Sequence, residues 1–240
     1  MYMCFNYKVS LLTFLIGLVG SFVLLRYGNP LYKIENITFG IAFILIVSMQ
    51  FLEFIFWIDL SNTLGLNYLA SLIGPLLNVG QPLILYLVKL LLNLCTIKSP
   101  TLSAFIGIKG NSYHALDKCE GVDKGTSPYG NIVAILNGLY FLYMIKMYTQ
   151  FVSSGDILTT VKHGHLSWKW LKYTNPIFYL LLLAINIFYL SNFTYASVMF
   201  SITYFSLYLS NKYFSYNAGE LWCFFGAFIP LFIFGASYYI

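Results

Sequence analysis

Glu53 sits inside SMQFLEFIFWIDL, residues 48–60, where almost every neighbour is apolar. Read as a helix, Gln50, Glu53 and Trp57 fall at i, i+3 and i+7 and share one stripe. A carboxyl in such surroundings pairs with an ammonium group, collects hydrogen bonds or takes up a proton. Those are also the acts by which a membrane protein handles a proton or a cation, so an ionisable side chain within a span is a functional candidate by default. Lys146 and Glu220 fall at a matching depth once the chain is threaded through a bilayer, and Glu53 is expected to be neutralised by Lys146, by hydrogen bonds or by a proton. Asn78 and Gln81 lie in GPLLNVGQP, where Pro82 removes a backbone donor. They are expected to satisfy the carbonyls that this break leaves open. The expected polar route is therefore Gln50, Glu53, Asn78, Gln81, Glu220 and Lys146. A second polar cluster, of Lys89, Asn131 and Asn137, is expected toward the other face.

The elements that position these groups follow from composition. Hydrophobic residues make up 59% of the 240-residue chain and charged residues 9%, against roughly 25% charge in ordinary soluble domains. Mean hydropathy is +0.76. So few charges do not cover the surface of a soluble fold of this size. The expected fold is an all-α integral membrane protein, a multi-pass bundle of seven transmembrane helices forming one domain over 1–240. Its spans are about 9–25, 37–58, 68–94, 131–148, 176–190, 193–209 and 221–239, each near the length needed to cross hydrocarbon. The run 11–25 is followed by Arg26 and Tyr27 rather than by small residues, and reads as a retained first span. Pro75 and Pro82 interrupt the third span, and Pro230 is expected to break the seventh.

Two long loops, 95–130 and 149–175, form a surface cap. The alternating run ILTTVKHGHLSWKW predicts a small β-hairpin lying on the membrane surface. Trp57, Trp168 and Trp170 are expected as membrane-interface anchors. Lys8, Lys146, Lys162, Lys169, Lys172 and Lys212 collect on one face, and Arg26, Lys33, Lys98, Lys109, Lys118 and Lys124 on the other. That even split leaves orientation undecided. Two sequons, Asn36-Ile37-Thr38 and Asn192-Phe193-Thr194, hug the membrane.

Several function classes are disfavoured. The last span has no lysine, so no retinal or other cofactor is expected. The three histidines lie in loops, and neither GxSxG nor HExxH occurs, so neither a catalytic residue nor a metal site is identified, and an enzyme is disfavoured. Cys95 and Cys119 flank one loop and could pair only in an oxidising compartment. Scattered lysines and a single arginine argue against a nucleic-acid partner.

The pattern Met49, Gln50, Glu53 and Trp57, followed by Asn67, Gly74, Pro75, Gln81 and Pro82, resembles an uncharacterised family of multi-spanning membrane proteins. That family is encoded by large DNA viruses of algae and protists. GHLSWKW and GELWC extend the likeness over most of the chain. The resemblance implies a viral source, and a host-cell or virion membrane as location; it implies no activity. The residues themselves favour a channel or transporter for a small cation, proton or polar solute. The alternatives are a non-transporting receptor or scaffold whose long loops bind a partner, and a seven-helix lipid- or pigment-binding protein. The expected partners are the lipid bilayer, the small cation or polar solute, and further copies of the chain in a homo-oligomer.

Overall fold

The computed structural model describes residues 6–93, 128–162, 165–191, 193–213 and 224–239. Eight α-helices dominate them: α1 Tyr7–Tyr27, α2 Lys33–Ile58, α3 Leu66–Val79, α4 Gln81–Asn93, α5 Pro128–Ser153, α6 Pro176–Leu190, α7 Phe193–Tyr213 and α8 Ile229–Ala236. Between α5 and α6 lies the predicted antiparallel hairpin, β1 Thr160–Lys162 and β2 His165–Ser167. Its register pairs Thr160 with Ser167, Val161 with Leu166 and Lys162 with His165. Helix α2 is the hub, packing against α1, α3, α4 and α8, while α4 and α5 both meet α6.

Helix α1 shows how the packing is arranged. Asn6 caps it, its side-chain oxygen accepting from the backbone N–H of Lys8 at 2.9 Å and of Val9 at 3.2 Å. Its inner face is Ser10, Thr13, Gly17, Gly20, Ser21 and Leu24. Its outer face exposes Leu12, Leu15, Val19 and Phe22. A soluble helix is built the other way round. Small residues inside let two backbones approach, the usual device of helix pairs in lipid. A Cβ added at Gly17 would lie 2.5 Å from Val47 Cγ1 on α2.

The structure departs from the expected seven spans. Among the described residues, three helical segments are long and apolar enough to cross a membrane: Tyr7–Tyr27, Pro30–Ile58 and Tyr129–Ser153. A fourth is added if α3 and α4 count as one crossing, but they are bent by 67° where one continuous span was expected. The cause is in the sequence: Pro82 has no N–H to continue the ladder of α3. Helix α6 is apolar but has 15 residues, short of the 20 or so that span hydrocarbon. Helix α7 has 21 residues, but its serines, threonines and tyrosines dilute its apolar character. In the last segment the helix is interrupted by a turn at 227–228 and resumes at Ile229, with Pro230 in the first turn. The seventh span is thus broken just before Pro230, as expected, and Pro230 lies in the first turn of α8, a position that suits its missing donor. Most of loop 95–130, including Cys95 and Cys119, lies outside the described residues, as do His163-Gly164 and 214–223.

Candidate functional site

The α2 stripe predicted from sequence is inside the bundle. Gln50 and Glu53 have no exposed surface, and Trp57 is half-buried with its indole nitrogen fully covered. The Thr13 hydroxyl of α1 lies 2.7 Å from Gln50 Oε1 and 2.6 Å from the Val9 carbonyl. With the Ser10 carbonyl at 3.1 Å it has one proton for three acceptors. With the Gln50 amide as placed, Nε2 has no partner among the described residues. With the amide turned over, Nε2 would donate to Thr13 and Oε1 would be the open atom. Either way, one polar atom of a fully buried amide stays open, one helical turn from Glu53. The Trp57 indole N–H likewise has no acceptor among the described residues. Buried donors without partners are uncommon, and such a site is one where water or a ligand belongs.

Beside this stripe is the break between α3 and α4. Two carbonyls there are answered from other helices. Val79 O accepts from the Tyr140 hydroxyl of α5 at 2.8 Å. Pro82 O accepts from Asn186 Nδ2 of α6 at 2.9 Å. Asn137 and Asn186 hold each other through reciprocal amide bonds of 3.0 and 2.9 Å, and Asn137 Nδ2 also donates to Val133 O. These partners replace the expected ones. Asn78 is only half-buried, and Gln81, though fully buried, accepts from the Tyr179 hydroxyl.

A crevice opens where α2, α4, α6 and α7 meet. Its walls are Phe39, Phe43, Ile46, Gln81, Leu85, Leu183, Ile187, Met199 and Thr203. Its empty space is about 290 Å³, counted with its mouth. Glu53 is not in its wall, but Phe39, Phe43 and Ile46 belong to the stripe that continues to Gln50 and Glu53.

Other expectations are corrected. Lys146 is exposed on α5, and among the described residues no ion pair joins it to Glu53. The inward face of α5 runs through Tyr140, Met147 and Phe151, and Lys146 is turned about 100° from Met147. Glu220 lies outside the described residues. Trp168 and Trp170 are not at the surface: they are 4% and 0% exposed and stack with ring centroids 5.3 Å apart, 11° from parallel. Trp170 also meets Phe56 and Phe151 at 6.3 and 6.1 Å, in a slot that Gly74 leaves open. A Cβ at Gly74 would lie 2.6 Å from that indole. In the expected second cluster, Asn137 is buried but Asn131 is exposed. Asn36 is also buried, donating to Asn29 O at 2.9 Å and accepting from Tyr195 at 3.0 Å, which closes that sequon to a glycan.

The sequence reading missed a third polar group. Asp59, just past α2, accepts from the N–H groups of Leu64, Leu66 and Asn67 at 3.1, 2.8 and 3.3 Å and from the Thr63 hydroxyl at 3.2 Å. Burial pushes this carboxyl up, but the Leu64, Leu66, Asn67 and Thr63 hydrogen bonds outweigh burial and hold it below the ordinary aspartate value of 3.8. Asn67 carries the knot onward. Its amide donates to Leu60 O and Thr159 O at 3.1 and 2.9 Å and accepts from Thr159 N–H and Ser71 Oγ, each at 3.1 Å. Ser71 and Thr159 are themselves 3.0 Å apart. The turn residues of DLSNTLGLN signal the cap; Thr159, 92 positions further on, leaves no local signal.

No protein-family model matches this chain, and no curated protein or solved structure matches it either.

Proposed function

We propose that the chain is a multi-pass membrane protein that passes a proton, small cation or small polar solute along the inner stripe of α2, with Glu53 as the group that binds it. The observation that carries the reading is the complete burial of Gln50 and Glu53 beside an amide with one open polar atom. The outward apolar face of α1 supports placement in a bilayer, and the bent pair α3–α4 supports a transport role, since broken helices with nearby polar groups mark substrate sites in transporters. The resemblance to the viral family points to a host-cell or virion membrane. The test is flux by purified protein in liposomes. Glu53→Gln is expected to remove flux while leaving thermal stability close to wild type. Wild-type protein that conducts nothing, or a Glu53→Gln variant with undiminished flux, would refute the reading.

A second reading, a non-transporting receptor or scaffold, is favoured by the Asn137–Asn186 pair, whose amides are fully engaged in holding three helices together. On that reading the polar interior is glue, and Glu53→Gln changes nothing but stability.

A further inference from the structure

The end of the molecule that carries the hairpin is rich in cations. Residues 128–191 hold four lysines, Lys146, Lys162, Lys169 and Lys172, against one acid, Asp156. Asp156 lies 3.4 Å from the Lys169 ammonium and 3.5 Å from that of Lys172, so one carboxylate is shared by two cations. Lys146 and Lys162 are exposed and make no ion pair among the described residues. Asp59 is buried, and its oxygens are engaged by Thr63 and by the N–H groups of Leu64, Leu66 and Asn67. The surface of this end therefore keeps an excess of positive charge that the described residues do not answer.

Lys146 relates this patch to the hydrocarbon. It stands on α5, one of the helices long and apolar enough to cross a membrane, about 10 Å along the axis from the last residue, Ser153. Its neighbours Leu142 and Ile145 are exposed as well. An ammonium in that position is lifted to the headgroup layer, with its methylene stem lying along the helix. The chain that leads into α6 runs beside it. Tyr173, the last residue of the short turn Lys169–Tyr173, meets Phe151 of α5 with ring centroids 6.4 Å apart. About two turns along α5, Tyr143 accepts from the Asn175 N–H and meets Phe178 edge-on at 5.7 Å. Lys146 falls between these two levels, three residues from Tyr143 and so on a neighbouring face. Lys172 is half-exposed, with its ammonium 5.0 Å from the centre of the Tyr173 ring. Lys146 and Lys172 thus stand along one seam, and the exposed side chains of Leu142 and Phe178 continue it toward the middle of the span.

We infer that this seam binds an anionic phospholipid, with the phosphate at Lys146 and Lys172 and an acyl chain over Leu142 and Phe178. The inference rests on the membrane placement proposed above and not on transport. Charge complementarity selects the headgroup: a lipid with net negative charge meets the unanswered lysines, whereas a zwitterionic one brings its own cation to them. The apolar part of the seam selects lipid over free phosphate, which has no use for Leu142 and Phe178. The position of Lys146 selects lipid over a soluble acidic protein, because it lies on the spanning helix itself, below the cap.

The experiment has two arms on the full-length protein. Flotation with phosphatidylcholine vesicles tests placement. Native mass spectrometry from detergent, with equal amounts of phosphatidylglycerol and phosphatidylcholine, counts the one-lipid adducts. Phosphatidylglycerol adducts are expected to exceed phosphatidylcholine adducts about fivefold, the worth of roughly one lysine at an anionic surface. Lys146→Gln combined with Lys172→Gln is expected to bring the ratio near one, and the matching pair of Lys→Arg changes to keep it. Excess glycerol phosphate is expected to leave the adducts in place. Protein that does not float overturns the placement and the inference together. Protein that floats but takes both lipids equally overturns the inference alone and leaves the lysines to a soluble acidic partner. A preference that survives the paired Gln changes overturns the assigned seam, and displacement by glycerol phosphate overturns the choice of lipid.

Discussion

Two buried polar regions of this chain differ in one respect. Around Asp59, Asn67, Ser71 and Thr159, every side-chain oxygen and nitrogen of the knot finds a partner. Along α2, the Gln50 amide keeps an open atom. Both regions are removed from solvent to the same degree, so burial does not separate them. Saturation does. A closed network holds one geometry and has no capacity left for a ligand; an open one leaves a place for something that comes and goes.

Substitutions sharpen that contrast. Asn67→Ala is expected to have the largest effect on stability, about 3–5 kcal/mol in detergent unfolding, because it takes their amide donor from the Leu60 and Thr159 carbonyls and leaves a gap in the interior. A change under about 1 kcal/mol would mean that the knot is not closed. Asn137→Leu follows, at about 2–3 kcal/mol. The double variant Asn137→Leu with Asn186→Leu should cost less than the sum of the two single changes, since neither amide is then left stranded. Strict additivity in a double-mutant cycle would deny the pairing.

Acid should act on the knot next. Because the folded Asp59 carboxyl ionises below 3.8, its contribution is fully present above that value and is lost as the pH falls through the folded value. The melting temperature should therefore drop below pH 4, and Asp59→Asn should flatten that limb. An unchanged acid limb would show that Asp59 is not the group responsible. Gln50→Leu should do least, within about 1 kcal/mol of wild type and of either sign, because one of its polar atoms already goes unanswered and the Thr13 proton has Val9 O to go to. A loss as large as that of Asn67→Ala would erase the distinction between the two regions.

How much of this could be read from the chain depends on the range of the signal. Helices α1, α2 and α5 were legible as long apolar runs, and the burial of Glu53 followed from the cost of a charge facing lipid. The break at Gly80, two residues before Pro82, was legible from proline. Which groups answer its carbonyls was not, because Tyr140 and Asn186 arrive from helices whose rotation no local pattern sets. The tryptophans misled for a related reason. An indole next to a predicted surface hairpin suits an interface, and only the slot at Gly74, some hundred residues away, turns Trp170 inward. Lys146 was placed by depth alone; its direction depends on which side of α5 faces the core.

The most direct test of the central claim is infrared difference spectroscopy of the reconstituted protein, wild type minus Glu53→Gln, while the transmembrane pH gradient is reversed. The expected result is a protonated-carboxyl band, absent from the variant, whose intensity follows the gradient. A Glu53 band that stays constant under both gradients would mean that the residue is a fixed structural element, and would contradict a carboxyl that loads and releases protons.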